Sequence, residues 1–140
     1  EQISEAVGSF GGNIGRCMDF LDGHADLKKS ADAVKKAVEA MITGDEYSLA
    51  VTLNSAASSR EEMRSVLEML SRVVRDAAAA RYGSKTFLGC SAGGAMRMSE
   101  RISSGRLIAM YDAICEASYR CTRNCNAQVA AAVLSGKLCR

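Results

Sequence analysis

Residues 58–83, "SSREEMRSVLEMLSRVVRDAAAARYG", constrain the fold of this chain more than any other stretch. Met63, Val66, Leu67, Leu70, Val73, Val74 and Ala77 recur at intervals of three and four, which places them on one side of a helix. Ser59 followed three residues later by Glu62 is a capping-box signature, and Gly83 ends the pattern. A stripe that long and that wide must be covered by other elements, because a lone helix gains most of its stability from packing. The composition says those elements are helices too. Proline is absent, aromatic residues make up 5%, and Ala, Leu, Val and Met dominate the 48% of apolar residues, which suits packed helices and not a β sandwich. At 140 residues there is room for one core.

The other segments read the same way. "EQISEAV" predicts a short helical piece that "GSFGGN" breaks, with Asn13 as the N-cap of a second short helix. In that second helix Ile14, Cys17, Met18 and Leu21 form a buried stripe that stops at Gly23. From Leu27, the positions Ala31, Val34, Val38, Met41 and Ile42 keep helical spacing to Gly44, with lysines opposite. Asp45 then caps a helix carrying Leu49, Ala50 and Leu53. "GSKTFLGCSAGG" has no period and predicts a mobile loop. A longer helix resumes from about Met96 or Gly105, with Leu107, Met110, Tyr111, Ile114, Ser118 and Cys121 on one side. Asn126 ends or restarts it, and Val129, Val133, Leu134 and Leu138 make a terminal amphipathic helix. The sum is an all-α bundle of about seven helices with antiparallel neighbours and no internal repeat.

Charge and cysteine usage narrow the function classes. Eighteen basic and sixteen acidic residues are interleaved for a net charge of +2, too little to grip nucleic acid or an anionic membrane by charge alone. No apolar run approaches the roughly 20 residues of a membrane span, and the start of the chain lacks the basic-then-apolar order of a signal peptide, so a cytoplasmic location is expected. Of the six cysteines, most fall at helical apolar positions and read as small hydrophobes in a reducing compartment. Cys121 and Cys125 share a helix face, but zinc asks for about four ligands and the single His24 is distant, so no metal site is expected.

The glycine stretch "GGNIGRCMDFLDG", residues 11–23, resembles a phosphate loop only superficially. No lysine and hydroxyl pair follows Gly15, and a helical segment precedes the glycines where a dinucleotide fold needs a strand. What remains is a turn and a helix with Arg16 in its first turn, from which a guanidinium reaches a phosphate held elsewhere or simply faces solvent. Neither a Ser-His-Asp triad nor a basic nucleic-acid face emerges. The arginines Arg60, Arg64, Arg72, Arg75 and Arg81 alternate with Glu61, Glu62, Glu68 and Asp76, the pattern of a solvated, salt-bridged surface. Met63, Met69, Met96, Met98 and Met110 read as core filler, or as a plastic lining for a partner helix.

Three stretches carry a resemblance in order along the chain. "FGGNIGRCMDFLD" is similar to the part of the AAA+ lid of bacterial clamp-loader subunits that holds their second sensor motif. "SREEMRSVLEMLSRVVRDAAAARYG" resembles the long helix of the C-terminal collar domain of DNA polymerase III delta-prime subunits. "RLIAMYDAICEASYRCTRNCNAQVAAAVLSGKL" resembles that family's final helix pair, with its Arg-Asn-x-Asn turn at Arg123, Asn124, Cys125 and Asn126. The resemblance implies that residues 1–22 are the end of the lid, that residues 25–140 form an oligomerising collar domain of the clamp-loader type, and that an ATP-binding core lies upstream.

Several further expectations follow from that resemblance. Arg16 matches the sensor arginine, the one residue of the chain that would meet ATP in the full complex, and this part of the subunit holds no cofactor and no catalytic residue of its own. Its partners would be the delta and gamma/tau subunits, with the sliding clamp and primer-template DNA engaged indirectly during DNA replication by the DNA polymerase III holoenzyme. The subunit interface is expected on the last two helices, at Tyr111, Tyr119, Arg123, Asn124, Asn126, Val129 and Val133. A gamma/tau collar is the near alternative. From other classes, a stand-alone adaptor binding a partner helix and a thiol enzyme using Cys90 beside Lys85 are the alternatives.

Overall fold

A computed structural model describes Ile3, Val7 and residues 13–21 and 25–140, with the side chains of Arg16, Asp19, Phe20, Leu21 and Ala25 excepted. Every regular element among the described residues is a helix: α1 (Ile14–Leu21), α2 (Ala25–Thr43), α3 (Glu46–Ala56), α4 (Arg60–Ala80), α5 (Ala92–Arg101), α6 (Ser104–Thr122) and α7 (Ala127–Cys139). The expected helix over "EQISEAV" and the glycine break after it lie outside the described residues, apart from Ile3 and Val7, which are helical.

The helix that dominates the sequence also dominates the fold. α4 runs through the middle and packs against α2, α3, α5 and α6, while α7 closes the far side on α3 and α6. Met63, Val66, Leu67, Leu70, Val73, Val74 and Ala77 are all fully buried, and Met69 joins them, so α4 is covered over more of its circumference than its stripe required. Ser59 caps it by accepting from the Glu62 N–H at 3.3 Å. The reciprocal half of the expected capping box is not what the Glu62 carboxylate makes; it faces Lys29 on α2 at 3.3 Å instead, tying the two helices together. Short polar caps set the other starts: Asp45 for α3, Ser91 for α5, Ser103 for α6 and Asn126 for α7.

The expected mobile loop is instead fastened down. Asp76 reads in sequence as part of a solvated arginine and carboxylate face, but it is only 3% exposed. Its Oδ2 accepts from the N–H groups of Leu88 and Gly89 at 2.7 and 2.6 Å, which pins residues 84–90 onto α4. Arg75, adjacent in sequence, lies 3.5 Å from the other carboxylate oxygen. Gly89 is glycine because a Cβ there would stand 2.8 Å from Val73 Cγ2 and 3.0 Å from the Val73 nitrogen. The loop is also shorter than expected. Ser91 caps a helix that begins at Ala92, and Gly94 lies in its first turn because a Cβ would meet Val38 of α2 at 2.8 Å.

Four other expectations are corrected. The helical pattern after the loop is two helices, because Ile102 turns extended and Ser103 caps a new start, while Arg81 Nη1 donates to the end of α5 at Ser99 O and, at 2.9 Å, Ile102 O. In α1, Ile14 is 79% exposed and Met18 is exposed as well; Cys17 alone of the expected stripe is described as buried, since α1 makes its main contact with α2. In α7, Leu134 and Leu138 turn inward with Ala130 and Ala131, whereas Val129 and Val133 face out. On α6, Tyr111 and Ser118 leave the buried side, which Ala117 occupies instead.

Removing the Asp76 carboxylate leaves two amides without their acceptor against a packed helix. Asp76→Ala is expected to lower unfolding free energy by about 2–3 kcal/mol in urea denaturation, and Gly89→Ala by about 1–3 kcal/mol through overpacking.

Candidate functional site

The chemistry that sequence singles out gathers on α6, the turn after it, and α7. α6 shows its core side, with Leu107, Met110, Ile114 and Cys121, to α4 and α7. At about 100° per residue, its remaining surface divides in two. Cys115, Ser118, Tyr119 and Thr122 lie on one side and wall a groove of about 1050 Å³ shared with α2 and α4. Ala113, Glu116, Ala117 and Arg120 lie on the opposite side and meet Val129, Val133 and Lys137 of α7 around a crevice of about 40 Å³. That crevice is too small for any metabolite.

The expected interface residues therefore split between two faces. Tyr119, 59% exposed, stands on the groove side, and Tyr111 lies just over two turns before it on the same side of α6. Ile108, also exposed, extends the row toward the start of the helix, so Ile108, Tyr111, Cys115 and Tyr119 form a second apolar stripe beside the buried one. Val129 and Val133, 57% and 48% exposed, belong to the other face. Ile108 was the residue that sequence reasoning missed, although its spacing of three and seven from Tyr111 and Cys115 carries the signal.

The turn between α6 and α7 is held by its own side chains. Asn124 adopts a left-handed φ of +53°, which asparagine tolerates better than most residues, and its Oδ1 accepts from Arg60 Nη1 of α4 at 3.3 Å. Asn126 Oδ1 accepts from the N–H groups of Gln128 and Val129 at 2.9 and 3.4 Å and so starts α7. Arg123 lies over the Tyr119 ring at 5.3 Å. These three residues fix the angle between the helices; all are exposed, so they also border any surface formed there.

Charge ties the α7 face together. Glu116 accepts from Lys137 Nζ at 2.8 Å and Arg120 Nη2 at 2.6 Å, and those two hydrogen bonds, Lys137 first, hold its carboxyl below the usual carboxylate range. On the groove side, hydrogen bonding between Tyr111 and the Cys115 thiol raises the phenol above its ordinary value. Burial, with Cys125 nearby, raises the Cys121 thiol against the pull of Arg60 and Arg64, and burial does the same for Cys139. Neither thiol is primed as a nucleophile.

Arg16 sits in the first turns of α1; its side chain, and residues Gly11, Gly12 and His24, lie outside the described residues. Cys90, the last residue of the pinned loop, is buried, in contrast to an accessible catalytic thiol. Among the described residues no group of three or more His, Cys, Asp or Glu side chains is placed to hold a metal, and no helix is long and apolar enough to cross a membrane. The chain matches no protein-family model and no curated protein sequence.

Because the folded Glu116 pKa is depressed, its contribution to stability is complete above the unfolded value near about 4.3 and is lost as pH falls through the lower folded value. Glu116→Gln is thus expected to lower Tm at neutral pH and to cost nothing in strong acid, where the wild-type carboxyl is protonated too. A difference in Tm that persists unchanged into strong acid contradicts the pairing of the Glu116 carboxylate with Lys137 and Arg120.

Proposed function

We propose that this chain is the helical collar portion of a clamp-loader subunit of the delta-prime type, which assembles with delta and gamma/tau subunits so that the complex loads the sliding clamp onto primer-template DNA. The observation that carries the reading is the pair of unlike faces on opposite sides of α6, the stripe of Ile108, Tyr111, Cys115 and Tyr119 beside the groove and the Val129 and Val133 ridge. A subunit in a ring meets two different neighbours through two different patches, whereas a two-fold dimer needs only one self-complementary patch. The helical bundle and the Arg-Asn-x-Asn turn, which sets the direction of α7, agree with that role. A gamma/tau collar fits the same observations.

In this reading the chain contributes assembly and not catalysis. ATP is handled by the modules upstream, with Arg16 on α1 at the position of the sensor arginine. Tyr111, Tyr119 and the Arg123 edge would meet one neighbour, and Val129 and Val133 the other. The stand-alone adaptor is the second reading, favoured by the groove alone, which has the dimensions of a helix and not of a small ligand.

Sedimentation of the chain with the full-length delta and gamma/tau subunits of the same organism tests the reading. A stoichiometric complex is expected. Tyr119→Ala and Val133→Asp should each weaken it by about tenfold or more, as central interface residues do, while Tyr47→Ala on α3 leaves it unchanged. A folded chain that stays monomeric beside folded partners overturns the collar role.

A further inference from the structure

Residues 84–90 form a strap between α4 and α5 whose fastenings sit at its two ends. The chain leaves α4 through Gly83, whose φ of +88° lies in the left-handed region, and the Ser84 N–H donates to Ala79 O at 3.2 Å. At the other end the N–H groups of Leu88 and Gly89 both donate to one oxygen, Asp76 Oδ2, and Ser91 then caps α5. Between the fastenings Lys85 and Thr86 are exposed. Phe87 is half-buried against the core, Leu88 is exposed, and Cys90 is buried.

The strap and the Asp76 carboxylate depend on each other. Closed, the carboxylate is out of water and the two amides satisfy it; lifted, carboxylate and amides all return to water, so none is left buried without a partner. The helices do not depend on the strap in the same way, since α4 packs directly on α2, α3, α5 and α6. Lifting residues 84–90 therefore disrupts far less apolar packing than separating those helices, which makes it a local opening below global unfolding in free energy. Cys121, fully buried on the core side of α6, is uncovered only when the helices part. Cys90 is uncovered when the strap lifts. The closed seam has no spare room, because even a Cβ on Gly89 would stand 2.8 Å from Val73 Cγ2.

We propose that residues 84–90 are a latch closed by Asp76, which lifts as a unit while the helices stay packed, and that disulfide exchange at Cys90 holds it open. In the exchange the Cys90 thiolate attacks one sulfur of a small disulfide such as oxidised glutathione. The S–S bond of the small molecule breaks, a mixed disulfide forms on Cys90, the second sulfur leaves as a thiolate, and the Cys90 proton passes to water. A reducing thiol reverses the step. The tripeptide on Cys90 is too large to be closed over, so the modified chain keeps Phe87 and the Val73 side of α4 uncovered. The latch rests on α4 and the strap alone and is independent of the collar reading.

The test is the rate at which oxidised glutathione modifies each cysteine of the whole folded chain, read by mass spectrometry of its peptides. Exposed Cys115 should react first, and Cys90 about tenfold or more ahead of Cys121. Asp76→Asn, which removes the charge that the amides grip, should speed Cys90 about tenfold. Leu134→Ala, a core change on α7 outside the latch, destabilises closed and lifted forms alike and should speed Cys121 while leaving Cys90 unchanged. Urea below the unfolding transition separates the two thiols in the same way without a substitution. Equal acceleration of Cys90 and Cys121 by urea or by Leu134→Ala means that Cys90 is reached through global unfolding and overturns the latch; so does a Cys90 rate indifferent to Asp76→Asn. In the Cys90 adduct the Leu88 and Gly89 amides should exchange with deuterium about tenfold faster or more while that of Leu70 on α4 keeps its protection, with chain modified at Cys115 alone as the control. Leu88 and Gly89 amides that stay protected in the adduct overturn the claim that exchange holds the latch open.

Discussion

The burial of the whole apolar face of α4 is the constraint on which the rest depends. A helix with Met63, Leu67, Leu70, Val73, Val74 and Met69 all out of water has to be surrounded, and the five elements that surround or brace it have few alternatives for where to go. Each fully buried Leu or Val removes about 1.5–3 kcal/mol worth of apolar surface from water, so a single such residue matters to a domain whose net stability is of order 5–15 kcal/mol. The cost of that arrangement is polar. α4 also carries Asp76 inward, and the fold compensates by turning the backbone of Leu88 and Gly89 toward it. One carboxylate thereby converts a featureless glycine loop into a fixed strap across the core helix.

A central helix has a consequence for surfaces. With the apolar face of α4 covered, α6 still has an apolar arc wider than its neighbours cover. The uncovered part falls into two regions divided by the charged row of Glu116 and Arg120. One is concave and acidic, and the other is a ridge with basic edges. Unlike faces on opposite sides favour directional assembly, whether with different neighbours or with copies of the same chain.

Much of this was legible in the sequence where a period was long. The α2, α4 and α6 stripes, the caps at Asp45, Ser59 and Asn126, and the all-helical class follow from spacing and from residues whose short side chains reach back to the backbone. Where it failed, tertiary packing decided. Val129 and Val133 satisfy a helical period as well as Leu134 and Leu138 do, and only the position of α3 and α6 shows which pair is covered. Ile14 and Met18 look buried by pattern and are exposed because, among the described residues, α1 packs mainly on α2. Asp76 was misplaced on the surface, although it lies seven residues after Met69 and one before Ala77, within the buried arc; the glycine loop that follows was the other half of that signal. The division of the interface residues between two faces could not be read from α6 alone, since it depends on where α2 and α7 lie.

The tyrosines offer the most direct measurement of the account's central claim, that α6 carries the assembly surface. Hydroxyl-radical footprinting of the chain, free and in complex with the delta and gamma/tau subunits, reports each ring separately. Tyr111 and Tyr119 should lose reactivity on assembly, together with Val129 and Val133, while Tyr47 and Tyr82, 79% and 80% exposed and outside α6 and α7, keep theirs. Undiminished labelling of Tyr119 and Val133 in a complex that has formed, or protection confined to Tyr47 and Tyr82, would place the assembly surface elsewhere and contradict the account.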